Sequence, residues 1–397
     1  MRKISEAAHR LQGQKMFQIL AQARDIEHQG GKVLHFELGD PDFDTPKNIV
    51  EAAIKSLKDG DTHYAPSSGL LEFKKIAAEV TVRSRGFSPD MDQLLVCPGA
   101  NSMIYYAAAC ILDKDDEVIV PDPGFVSYFS ILEFLGVKIK RVPLFEQNAF
   151  RLNPEDVEKA VTDKTRMIII NSPSNPTGAV MTEDEIRRIY QIAQKHDVYL
   201  LSDEVYARMI YRENVDSYHS PSTYDHCKER TIVVNGFSKS YAMTGWRLGV
   251  VTAPAELVQK MGLLLETIVS CVSPFIQKAG IEALKGSQEE IYGMIEEYKA
   301  RRDVLIDGLN SLPGVSCLRP DGAFYAFANI KQTKLTSEQF AEIMLQKAHV
   351  ALSPGTIFGK YGQGYVRLCY VNSTENIVQA IERMRKVLEG RLVLNNA

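Results

Sequence analysis

The sequence predicts an α/β protein: a layered large domain with a mostly parallel sheet, joined to a smaller α+β domain. Three observations carry this. From about residue 90 to 255, short apolar runs alternate with longer amphipathic stretches, the pattern that gives right-handed βαβ crossovers and a mainly parallel sheet. After residue 285 the pattern changes to a charged helix followed by short strands and a last helix. At 397 residues the chain has room for both parts.

The strand-like runs are 94–96, 118–120, 137–142, 167–170, 198–201, 232–234 and 248–252, each short, apolar and largely β-branched or aliphatic. Helical patterns lie between them. One, 182–196, opens on Thr182-Glu183-Asp184-Glu185, a capping box by its Thr and the Glu three residues on. Another, 103–112, follows Gly99-Ala100-Asn101. The charged helix spans 289–309, the short strands 323–327 and 365–370, and a final helix follows Ser373. No internal repeat, low-complexity tract or linker interrupts the order.

Five of the runs end in unusual chemistry. Run 94–96 leads into Pro98-Gly99-Ala100-Asn101, and 118–120 into Pro121-Asp122-Pro123-Gly124-Phe125. Run 167–170 leads into Asn171-Ser172-Pro173-Ser174-Asn175-Pro176, and 198–201 into Ser202-Asp203-Glu204-Val205-Tyr206. The fifth, 232–234, leads into the stretch from Gly236 to Gly249 that contains Ser238-Lys239-Ser240 and Gly245-Trp246-Arg247-Leu248-Gly249. In a parallel sheet these ends share one edge, where α/β proteins bind ligands. Desolvation there lowers an ammonium pKa, as a Schiff-base lysine requires. Ser238 and Arg247 offer a hydroxyl and a guanidinium, groups that hold phosphate. The small residues Gly99 and Ala100 at a helix start add exposed N–H groups, although alone such a segment is often only a cap.

The stretch around Lys239, with small residues before it and Gly-x-Arg-x-Gly after it, resembles the pyridoxal-phosphate lysine region of the fold type I, class I/II aminotransferases, the aspartate-aminotransferase-like family. The resemblance runs over nearly the whole chain. It implies a three-layer large domain with a seven-stranded sheet over 46–284, a small C-terminal domain over 285–397, and an N-terminal arm, 1–45, that completes the small domain. It also implies roles. Lys239 binds the cofactor and moves the proton, Asp203 pairs with the pyridine nitrogen, and Tyr206 and Asn175 hydrogen-bond the ring's phenolic oxygen. Phe125 stacks on the ring, without the hydroxyl or indole that many relatives place there, and Ala100, Asn101, Ser238 and Arg247 cradle the phosphate. Without the resemblance, Asp203 would read as a structural or capping aspartate, and Tyr206 and Phe125 as packing residues.

On the substrate side, Gly39-Asp40-Pro41-Asp42-Phe43-Asp44-Thr45-Pro46 is by itself a turn-rich loop; it resembles the family's N-terminal substrate loop, in which the Gly39 backbone touches substrate. Arg367 lies in an otherwise apolar run, and a buried guanidinium needs an anion. The resemblance assigns it the substrate α-carboxylate, with Asn175 assisting. It assigns Tyr64 to the cofactor phosphate of a partner subunit, and so implies a homodimer with shared sites. Some relatives that accept dicarboxylates carry a lysine at the position of Asn101. Lys15, Met16 and Phe17 fall near the substrate-bordering segment: Lys15 would anchor a distal carboxylate, Met16 and Phe17 would favour apolar side chains, and all three equally fit surface or core.

The expected activity is transfer of an amino group between an L-amino acid (aspartate, or a neutral or aromatic one) and a 2-oxoacid such as 2-oxoglutarate, by a ping-pong cycle. A pyridoxal-phosphate-dependent C–S β-lyase shares every cofactor contact and is the alternative; a noncatalytic cofactor-sensing regulator is a third reading. Composition narrows the partners. The formal charge of −4 offers no basic footprint for nucleic acid. No run approaches a membrane span, and residues 1–15 have no signal-peptide h-region. The six cysteines are scattered without a Cys-x-x-Cys, which favours buried free thiols and a cytoplasmic protein. The eight histidines show no metal-ligand spacing, so no metal is expected.

Overall fold

The computed structural model describes residues 3–11, 13, 15–211 and 218–395. One short strand, β1 (Leu34–His35), precedes seven others: β2 (Leu94–Cys97), β3 (Glu117–Asp122), β4 (Lys138–Pro143), β5 (Thr165–Asn171), β6 (Tyr199–Asp203), β7 (Thr231–Gly236) and β8 (Gly249–Thr252). These seven form one sheet in the order β2-β8-β7-β6-β5-β3-β4. Only β8 runs against its neighbours; the other pairs are parallel. Each expected run lies in one of these strands, with ends shifted by a residue or two.

Near-continuous apolar sequence in these strands reflects burial on both faces. Val118, Val120, Met167 and Ile169 pack into one core, while Ile119, Ile168 and Ile170 pack into a second on the opposite face. The edge strand β4 instead carries Lys138, Lys140 and Arg141, charges that discourage pairing with another chain.

Four further strands follow: β9 (Tyr325–Asn329), β10 (Val350–Ala351), β11 (Ser353–Pro354) and β12 (Tyr365–Cys369). They make an antiparallel sheet in the order β11-β12-β9 and a parallel pair of β1 with β10. The N-terminal segment thus docks on the C-terminal part of the chain. β9 begins two residues later than the expected 323–327 because Ala323 is left-handed (φ 56°), a conformation no strand continues through. The long helices Glu289–Asn310 and Thr374–Asn395 lie where the patterns put them. The capping box at Thr182 forms, with Thr182 Oγ1 accepting from the Glu185 N–H and Glu185 accepting from the Thr182 N–H. Among the described residues no helix is long and apolar enough to cross a membrane. All six cysteines are free, and four of them are buried.

Candidate active site

The ends of β2, β5, β6 and β7, the Phe125 turn beyond β3, the 38–39 segment and β12 surround one cavity of about 220 Å³. Gly39, Ala100, Asn101, Phe125, Asn175, Asp203, Tyr206, Ser238, Lys239, Arg247 and Arg367 all line it. Tyr64, assigned to a cofactor phosphate, does not; it is 86 % exposed on the surface of the single chain. Of the Lys15–Phe17 trio, Met16 alone lines the cavity. Lys15 and Phe17 face solvent, so Lys15 is no part of this wall.

Lys239 follows β7 in a tight loop whose turns are closed by the Tyr241 N–H to Phe237 O and the Met243 N–H to Ser238 O. Its Nζ donates to the Gly39 carbonyl at 2.6 Å. Burial pulls its ammonium down to about 8 against the opposing pull of Asp40, with Arg367 and Arg247 lowering it further. About a tenth of it is therefore neutral, nucleophilic amine at pH 7, far more than for an ordinary lysine. Thr45 ties the facing loop to this one: its hydroxyl donates to Ala242 O at 2.6 Å and accepts from Trp246 Nε1 at 3.0 Å.

The helix Ala100–Ile111 points its N-terminus into the cavity, with Gly99 as its cap at φ 87°. A side chain at Gly99 would overlap the Arg247 guanidinium, so only glycine lets the arginine lie against the helix start. Arg247 itself is left-handed (φ 54°), an uncommon conformation for a non-glycine residue. Helix N–H groups, the Ser238 hydroxyl and this guanidinium together form an anion-binding corner.

Asp203 ends β6 and is buried. It accepts from the Tyr128 hydroxyl at 2.5 Å and from the Val205 N–H at 3.3 Å. Burial pushes its carboxyl up to about 6 in spite of these donors, so it calls for a cation. Asn171 supports the same strand end: its amide donates to Asp203 O at 3.0 Å and accepts from the Asn175 N–H at 2.8 Å. Tyr206 OH and Tyr325 OH lie 2.6 Å apart, and burial, then the neighbouring tyrosine, raises the Tyr206 phenol well above its usual value.

Arg367 is 1 % exposed. One terminal nitrogen donates to Asn175 Oδ1 at 3.1 Å; the other donates to the Glu37 carbonyl at 2.5 Å and lies 3.5 Å from Met16 Sδ. Its plane is held between Tyr325 and Phe358, each ring centre 4.6 Å away. Its Nε is buried without a partner. Among the described residues no carboxylate side chain answers it, and a planar fork held this way suits a small carboxylate.

Tyr325, Tyr128 and Asn171 escaped the sequence reading. Tyr325 sits inside an apolar strand and Tyr128 inside an apolar helix, where a ring reads as core. Asn171 lay in view within the Asn171-Ser172-Pro173 turn, and its position directly after a buried strand was the available signal. As assembled, the cavity offers two separate anion sites, at Arg247 and at Arg367, together with a desolvated amine and a buried carboxylate.

Comparison with known proteins places this arrangement. Residues 31–384 match the family model "Aminotransferase class I and II". The chain is 41 % identical over 360 residues to the aspartate aminotransferase of Pyrococcus horikoshii, covering 90 % of this chain and 91 % of that protein. It is 42 % identical over 362 residues to aromatic-amino-acid aminotransferase 2 of Thermococcus litoralis, covering 90 % and 92 %. The solved aspartate aminotransferase of Rhizobium meliloti superposes with a TM-score of 0.93 at 32 % identity, over 98 % of this chain and 99 % of that one. The C–S lyase alternative finds no support in these relatives. The chain belongs to the class I and II aminotransferases and is an aminotransferase of fold type I.

Proposed function

We propose that the enzyme uses pyridoxal phosphate to move an amino group from aspartate, or a neutral or aromatic L-amino acid, to a 2-oxoacid such as 2-oxoglutarate, in a ping-pong cycle. The observation that carries this reading is a lysine amine brought down to about 8 in one cavity with a buried arginine that, among the described residues, no carboxylate side chain answers. The residues fit the cofactor. Gly99 leaves the room that brings Arg247 to the helix start, and Asp203, buried among neutral donors, suits a protonated ring nitrogen.

Lys239 would hold the cofactor's aldehyde carbon and Asp203 its ring nitrogen. Tyr206 and Asn175 would hold the phenolic oxygen and Phe125 the ring face. Ala100, Asn101, Ser238 and Arg247 would hold the phosphate. When bound, the group supplies an electron sink for the substrate α-carbon. Arg367, with Asn175, orients the α-carboxylate, and Gly39 borders the substrate. The Lys239 amine carries the proton from the α-carbon, a task for which a pKa near working pH is suited.

The donor range follows the two named relatives, one an aspartate and one an aromatic enzyme, and Met16 adds an apolar wall. We further infer an obligate homodimer in which Tyr64 serves the partner's phosphate; its exposure in the single chain supports this. The free cysteines suit a cytoplasmic enzyme. Half-reactions with a panel of amino acids, read as loss of the imine absorbance of protein loaded with pyridoxal phosphate, test the activity. A protein that gains no such band is not the enzyme proposed. Sedimentation of a fully active monomer would remove the shared site.

A further inference from the structure

The segment 34–39 meets both Arg367 and Lys239 through its own backbone. The Glu37 carbonyl accepts from Arg367 at 2.5 Å, and the Gly39 carbonyl accepts from Lys239 at 2.6 Å. Regular pairing stops just short of these two contacts. The Leu34 N–H donates to His349 O and the Phe36 N–H to Ala351 O, while Phe36 O accepts from the Cys369 N–H, each at 2.9 Å. Past Phe36, among the described residues, the backbone of 37–39 is held only by Arg367, Lys239 and the Ser353 hydroxyl, which donates to Glu37 O at 3.1 Å.

What remains to fix this stretch is the Glu37 side chain, which is fully buried. Its Oε1 pairs with His35 Nδ1 at 2.8 Å, and its Oε2 has no partner. The other nitrogen of His35 meets Glu27 Oε1 at 3.2 Å, from the helix Lys15–His28 that also brings Met16 to the cavity. With a carboxylate at each nitrogen both must be donors, so the ring is an imidazolium. The His35 carbonyl is itself anchored by the Asn372 amide at 3.0 Å. A buried carboxylate that loses its only cation must move or take up a proton, and here it would carry its own carbonyl with it.

We propose that His35 and Glu37 are positioning residues for Arg367: their ion pair fixes the peptide after Phe36, so that the Glu37 carbonyl holds the guanidinium in the attitude that receives a substrate carboxylate. This rests on the reading of Arg367 as the carboxylate site and adds two residues that never touch substrate. An interaction made equally in ground and transition states is lost from KM and not from kcat.

The test is calorimetric titration of the holoenzyme with 3-phenylpropionate, a carboxylate without an amine, alongside steady-state kinetics. His35→Gln and Glu37→Gln should each weaken binding about tenfold and raise KM for donor and acceptor alike, with kcat within about threefold of wild type. His35→Lys, which restores a cation, should recover most of the loss; a purely packing role would show no such rescue. Should His35→Gln fail to fold, Glu37→Gln, which keeps the shape and removes the charge, carries the test alone. Wild-type affinity in the pair variants, with binding lost in Arg367→Ala, overturns the positioning role and leaves the carboxylate site intact. Wild-type affinity in Arg367→Ala overturns the carboxylate site and the positioning role with it.

Discussion

Asp203 and Glu204 are consecutive, both buried, and treated in opposite ways. Glu204 is neutralised by the protein: it accepts two bonds from Arg85, one from Ser202 Oγ at 2.9 Å and one from Ser220 Oγ at 2.5 Å. Asp203 faces the cavity and, among the described residues, meets only neutral donors, Tyr128 and the Val205 N–H. One step along the backbone turns the side chain to the other side of the strand end. A buried carboxylate matched by an arginine is structure. One left to neutral donors, with its pKa driven up to about 6 by burial, is prepared for a cation that the chain does not supply.

Substitutions can break that division. The largest effect should come from Lys239→Ala on the cavity side, with turnover down by at least about 10⁴-fold; residual transamination above that level would mean that the proton travels by another group. Asp203→Asn should lower kcat/KM by about 10³-fold while leaving the fold intact. Glu204→Gln should do the reverse, destabilising the protein by about 3–5 kcal/mol in denaturant melts through the unpaired Arg85, with kcat nearly unchanged. Similar kinetic losses in both variants would erase the distinction.

A subtler prediction concerns pH. Burial raises the Asp203 carboxyl from 3.8 to about 6, so between those values the native state holds a proton that the unfolded state has released. The destabilisation from this group is complete above about pH 6 and gone below about pH 4. Its size is on the order of 3 kcal/mol. Cofactor-free wild type should therefore close its stability gap to Asp203→Asn as pH falls from 7 to 4, and added pyridoxal phosphate should close it at pH 7. The smallest effect belongs to Lys15→Met. Because Lys15 faces solvent, KM for aspartate and for phenylalanine should shift together by less than about twofold; a selective rise for aspartate would put Lys15 back at the substrate.

The convergence of strand ends was legible because periodicity and composition report burial, and a parallel sheet does the rest. Asp203 and Lys239 could be read from sequence since each breaks an apolar run where the run ends. Glu37 and His35 could not. They lie by a two-residue strand, too short for any period, and their importance depends on Arg367 in β12, more than 300 residues away. Tyr325 was hidden for the opposite reason: it sits in a recognisable strand, but nothing in the sequence says that its hydroxyl meets Tyr206. The antiparallel direction of β8 was equally silent, because an apolar run carries no sign of its polarity.

The lowered lysine also makes this protein chemically addressable. At pH 7 an amine with a pKa of about 8 is unprotonated roughly 300 times more often than one at 10.5, the ordinary lysine value. In cofactor-free protein an acylating reagent small enough to enter the cavity should therefore tag Lys239 ahead of the exposed lysines. Prior loading with pyridoxal phosphate should shield it, so peptide mapping of the tag would report site occupancy in a crude extract with no assay of turnover.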